Sequence, residues 1–166
     1  EAFSWNISFG LASAVATFVG QNYGAKNYDR IAKTYKIVLS NILILGGIIT
    51  IIFVFFPRPL YGMFFKDEKM IALGISYLSI VGFSQLFMCA EITTSGAFNG
   101  MGKTLQPTVI SIIFTSLRIP IALILIPLLG LNGIWWSISL TSIAKGILVV
   151  ILFLIVLKKI DVKETK

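Results

Sequence analysis

Five long apolar runs, separated by short gaps rich in polar residues, glycine or proline, set the folds open to this chain. They run from Phe3 to Gly20, Ile37 to Phe56, Met70 to about Asn99, Pro107 to about Leu129, and Gly133 to Leu157. With their flanks they predict helices over about 3–22, 33–56, 70–99, 107–129 and 133–157, near the length a bilayer-spanning helix needs. Asn6 and several Ser and Thr dilute the first run, which is the least apolar. The 166 residues are 57% hydrophobic and 13% charged, with a mean hydropathy of +0.92. One small core cannot bury that much apolar surface, so lipid must act as a second solvent. Helices satisfy their own backbone polar groups in lipid, and the runs lack the alternation of barrel strands. The expected fold class is all-α, a polytopic transmembrane bundle of about five spans.

The gaps read as turns. Asn22-Tyr23-Gly24-Ala25-Lys26-Asn27 follows the first run, and Pro57-Arg58-Pro59 closes the second. Asn99-Gly100-Met101-Gly102 ends the third, Pro107 is placed to open the fourth, and Leu129-Gly130-Leu131-Asn132-Gly133 joins the last two. A polar tail is expected over 159–166. One face of the bundle would collect Lys26, Arg30, Lys33, Lys36, Lys103, Lys158, Lys159, Lys163 and Lys166. The other would hold Arg58, Lys66 and Lys69, offset by Asp67 and Glu68. The base-rich face is expected to be cytoplasmic, which puts the C-terminus inside and residue 1 outside. A chain that starts outside, within an apolar run and without a signal peptide, reads as part of something longer.

Net charge is +7, from 14 Lys and Arg against 7 Asp and Glu. Because the bases lie mostly in the gaps, lipid headgroups account for them better than nucleic acid does. Cys89 is alone and there is no His, which removes an internal disulfide and the usual zinc or haem ligand sets. Neither a nucleophile–base pair nor a phosphate loop is present, and Gly96, Gly100 and Gly102 follow no strand. Neither an enzyme nor a cofactor is expected. Small residues four apart, Gly10 with Ala14, Ala12 with Ala16 and Gly20, and Gly96 with Gly100, suit close helix–helix approach in lipid.

Three ionisable residues, Glu91, Arg118 and Lys145, fall inside apolar runs. A charge at mid-bilayer costs about 2.5–3.5 kcal/mol, so each should face protein or water. Tyr77, Ser84 and Glu91 recur every seven residues, and Ser95 extends them by a turn. A heptad drifts by only about 20° on a straight helix, so these residues predict a polar face centred on Glu91. Glu91 could bind a coupling cation or proton in alternation with a cationic substrate, burial favouring its neutral form. The alternative is a structural ion pair with Arg118 or Lys145. Helix rise places Glu91 about 12 Å deep and the two bases about 18 Å deep, a gap that tilt or a kink at Pro120 could close. Arg118 and Lys145 could be structural, could snorkel, or could set the protonation of Glu91. Pro120 and Pro127 each remove a backbone donor and are hinge candidates. Trp135 and Trp136 fit an interfacial belt.

Four stretches then carry a resemblance. Val19-Gly20-Gln21-Asn22-Tyr23-Gly24-Ala25-Lys26-Asn27-Tyr28-Asp29-Arg30 resembles the loop after the second helix of a lobe of the multidrug and toxic compound extrusion (MATE) family. The stretch Glu91–Thr104, followed by Pro107, is similar to the end of the fourth helix of the family's C-terminal lobe. Arg118-Ile119-Pro120 and Gly130-Leu131-Asn132-Gly133-Ile134-Trp135 resemble its last two helices. The resemblance implies helices eight to twelve of a twelve-helix, two-lobed antiporter in the plasma membrane. Such proteins exchange cationic organic compounds for sodium ions or protons. It also implies an acidic residue on the third helix here, for which Glu91 is the one candidate. The implied partners are the lipid bilayer, an N-terminal lobe and small organic cations. Rival readings are a lipid-linked oligosaccharide flippase of the same superfamily, which would favour a basic cavity, and a non-transporting membrane scaffold.

Overall fold

A computed structural model describes the backbone of residues 1–164, and the side chains of all these except Phe3 and residues 161–164. Its helices are α1 (Ala2–Gly24), α2 (Tyr28–Phe55), α3 (Pro57–Gly62), α4 (Glu68–Gly100), α5 (Leu105–Leu129) and α6 (Leu131–Glu164). Among the described residues there is no strand. Four of the helices, α2, α4, α5 and α6, are long and apolar enough to cross a membrane. At 23 residues α1 is about 34 Å long and could also span, but its polar residues set it apart. Two of these, Ser4 and Ser8, are buried inside the bundle, and Ser4 bonds to Gln85 of α4.

The ends of the helices follow local chemistry. Helix α2 starts earlier than its apolar run because Asp29 in the first turn complements the helix dipole. Pro57-Arg58-Pro59, read from sequence as a simple break, opens the short helix α3 instead. Proline at the first helical position gives up a donor that would have no partner there. The Asp67 carboxylate caps α4 by accepting from the Lys69 backbone N–H at 2.9 Å. Gly130, at φ +59°, allows the tight turn from α5 into α6. The tail expected over 159–166 begins as a continuation of α6, while Lys163 and Lys166 lie outside the described side chains.

The centre of the bundle is α4, which packs against α1, α2 and α6, whereas α5 packs chiefly on α6. Close approach of α1 and α4 depends on small residues. A Cβ on Gly96 would run into the Ala12 carbonyl, and one on Gly100 into the Ala16 carbonyl. The Ala12, Ala16, Gly20 series therefore meets the Gly96, Gly100 pair. Gly10 faces open space and takes no part.

An apolar core closes one end of the bundle, built from Val19, Ile31, Tyr35, Ala97, Phe98 and Phe153 among others. Phe153 meets Tyr35 in a tilted contact and Phe98 edge-to-face, at ring-centroid distances of 4.4 and 4.9 Å. The Tyr35 hydroxyl shares a 2.9 Å hydrogen bond with Thr94 Oγ1, itself bonded to the Ala90 carbonyl. Tyr35→Phe should cost about 1 kcal/mol in unfolding free energy, since Thr94 keeps its own acceptor. Unfolding in detergent measures this, and a loss above about 3 kcal/mol would mean that the hydroxyl supports more than this one bond.

Candidate functional site

Close approach also brings α6 onto α4. A Cβ on Gly146 would strike the Phe87 carbonyl, so the backbones nearly touch there. This contact delivers the neighbouring residue, Lys145, to Glu91: Nζ lies 3.1 Å from Glu91 Oε2. Both side chains are close to nine-tenths buried, at 11% and 12% exposure. Of the two partners that the sequence left open for Glu91, the structure selects Lys145. Helix packing closes the gap in depth without a kink at Pro120, because α5 barely touches α4.

Beside Glu91 is a cavity of about 400 Å³. Phe9, Ala12, Ser13 and Ala16 of α1 line one wall; Glu91, Ile92, Ser95, Gly96 and Asn99 of α4 line the other. Glu91, Ser95 and Asn99 are four residues apart and share a face of α4. The small side chains opposite them leave the space. A buried carboxylate therefore stands between an ammonium on one side and a partly polar cavity on the other. That arrangement can trade partners: a proton or a cation entering the cavity competes with Lys145 for the carboxylate oxygens.

The polar face predicted along α4 divides between three places. Ser95 shares the cavity with Glu91. Ser84 is fully buried and donates to the Val81 carbonyl at 2.8 Å, away from the cavity. Tyr77 donates to Glu1 Oε2 at 2.8 Å and lines a separate pocket with Tyr61, Phe65 and Trp135. The reason is length: fourteen residues of helix put Tyr77 about 21 Å from Glu91 along the axis.

Arg118 does not reach Glu91. Its Nε donates to Thr141 Oγ1 at 3.1 Å and its terminal nitrogen to Ser142 Oγ at 3.0 Å, tying α5 to α6 one turn before Lys145. Pro120 and Pro127 lie within α5, which continues through both as one helix.

Sequence reasoning passed over a second polar cluster, built around Glu1. Gln85 Nε2 donates to Glu1 Oε1 at 3.0 Å, Ser4 donates to Gln85 Oε1 at 3.0 Å, and Tyr77 holds the other Glu1 oxygen. Gln85, an amide inside an apolar run, was the available signal; Glu1 gave none, standing ahead of its run. Burial, and then the Glu1 carboxylate, pushes the pKa of the nearby Tyr61 hydroxyl above its ordinary value.

Membrane-crossing helices packed through small residues, with an ion pair buried beside an open cleft, define a polytopic helical membrane protein. The MatE family model matches residues 2–124, and the chain belongs to the MatE family. The probable multidrug resistance protein NorM of Thermotoga maritima is 29% identical over 93% of this chain and 34% of its own length. The multidrug export protein MepA of Staphylococcus aureus is 24% identical over 88% of this chain and 33% of its own. The chain thus spans about a third of the length of the curated relatives it matches. Among solved structures, an inward-facing multidrug resistance MATE transporter of the MOP superfamily superposes with a TM-score of 0.79 at 18% identity, over 95% of this chain and 39% of its own. A MOP superfamily transporter from Pyrococcus furiosus, described as having a binding pocket of reverse polarity that suggests a different function, gives 0.80 at 19% identity over 93% and 35%. At these identities the likeness is one of fold.

Proposed function

We propose that this chain is most of the C-terminal lobe of a secondary antiporter that exports cationic organic compounds in exchange for sodium ions or protons. The buried Glu91–Lys145 pair at the edge of the cavity carries this reading. A carboxylate whose charge is balanced by a single ammonium can be claimed in turn by a proton, a sodium ion or an organic cation. Each occupant changes the charge in the cavity and so biases which side the lobe opens to. Pro120 and Pro127 supply points at which α5 can bend. The lobe would sit in the plasma membrane with its base-rich face and C-terminus in the cytoplasm, against an N-terminal lobe of the same transporter. A flippase for phosphate-bearing lipids would need a basic side chain free at the cavity. Lys145 is engaged with Glu91, and Arg118 with two hydroxyls, so this reading is less well supported.

The test is dye efflux from vesicles holding the full-length transporter that contains this segment, with sodium and pH gradients imposed separately. Glu91→Gln/Lys145→Met removes both charges together and so avoids stranding one of them. It is expected to lower gradient-driven efflux at least tenfold, while Lys145→Arg, which keeps the pair, retains it. Efflux at the wild-type rate from the double variant would refute a role for Glu91 in coupling.

A further inference from the structure

A second polar feature lies far from Glu91, at the base-rich end of the bundle. There, beside the Tyr35–Phe153 contact, a cleft of about 200 Å³ remains between α2 and α6. Its walls are Tyr28, Ala32 and Lys36 of α2 with Leu154, Leu157 and Lys158 of α6. In sequence, Lys36 is the last charge before the apolar run of α2, and Lys158 is the first after that of α6. The antiparallel packing, which sets Tyr35 against Phe153, brings both lysines onto one cleft, Lys36 near the level of Leu154 and Lys158 nearer the helix ends. On the membrane side of Lys158, Leu154 and Leu157 continue the cleft as an apolar wall, and Ala32 is small enough to leave it open. Neither lysine takes part in the two ion pairs among the described residues, Lys145–Glu91 and Arg58–Glu68.

We infer that this cleft is a binding site for an anionic phospholipid. The phosphate sits between Lys36 and Lys158 beside the Tyr28 hydroxyl, and one acyl chain descends along Leu154. Three observations favour a lipid over a transported compound. The volume suits a phosphate with its glycerol and falls below the roughly 300–1,000 Å³ of drug-sized pockets. Its charge is positive, the wrong sign for an organic cation. Basic groups at the end of an apolar run lie at headgroup depth, where anionic lipids are drawn to them at about 1 kcal/mol per base.

The site is tested on the purified full-length transporter by native mass spectrometry with phosphatidylglycerol, phosphatidylcholine or inorganic phosphate added. Phosphatidylglycerol is expected to bind in preference to phosphatidylcholine, and Lys36→Gln/Lys158→Gln to weaken that binding by about thirtyfold. Lys66→Gln/Lys69→Gln, at the opposite end of the bundle, should leave it unchanged. Both lysines are exposed, so the variants should melt as the wild type does without added lipid. An effect under threefold, or equal losses in the two double variants, would overturn the site. Inorganic phosphate displacing the lipid at equal concentration would overturn the lipid assignment, since the acyl wall would then contribute nothing.

Discussion

Lys145→Met is expected to lower the stability of the bundle by about 3–5 kcal/mol, the largest loss for any single substitution considered. The cause is the partner left behind. Glu91 is 12% exposed, and without the ammonium at 3.1 Å it must stay ionised in a low-dielectric interior or take up a proton. The companion Glu91→Gln/Lys145→Met should recover most of the loss, because a neutral amide and a thioether have no charge to desolvate. Unfolding of the single and double variants in detergent, read as a double-mutant cycle, gives the coupling directly. A single variant as stable as the wild type would mean that water already solvates the pair through the cavity. The low exposure of both side chains argues against that outcome.

Gly96→Leu is expected to cost about 1–3 kcal/mol and to loosen α1 from α4. A side chain at Gly96 is aimed at the backbone of Ala12, which has no rotamer to change, so relief requires the helices to separate. Separation would also reshape the cavity, since Ala12 and Gly96 both line it. The contrast is Gly10→Ala, which meets nothing within 4 Å and should leave stability unchanged or slightly raised through better helix propensity. Thermal unfolding of the two variants side by side decides whether α1 packs on the Ala12, Ala16, Gly20 series. Equal effects would mean that helix propensity, and not packing, governs both positions.

Much of the helical architecture could be read in one dimension, because the cost of exposing backbone to lipid leaves few ways to place long apolar runs. The misreadings cluster at the ends, where that cost is absent. Pro57 opens a short helix at a site read as a break, α2 begins at Tyr28 among charged residues, and α6 continues into the expected tail. Each such extension is decided by caps, dipoles and proline chemistry outside the apolar stretch.

The site was half legible. Glu91 stood out because a carboxylate in an apolar run needs a reason, and Lys145 stood among its possible partners for the same reason. Heptad spacing alone grouped Tyr77 and Ser84 with it, but angular position on a helix carries no information about depth. Glu1 and Gln85 were missed because their pairing joins residues 84 positions apart, through a bond that exists only once α1 lies on α4.

By itself, then, the sequence determined that this protein is a helical membrane bundle, where the apolar middles of its long helices run, and which charges demand an explanation. Composition and periodicity suffice for that, since lipid penalises each residue according to its own chemistry. The tertiary structure alone decided that Glu91 pairs with Lys145 and not Arg118, that Ala12 and not Gly10 faces α4, and that Lys36 and Lys158 flank one cleft. Those outcomes depend on how closely two backbones approach and at what height, which is a property of pairs of helices and not of either one.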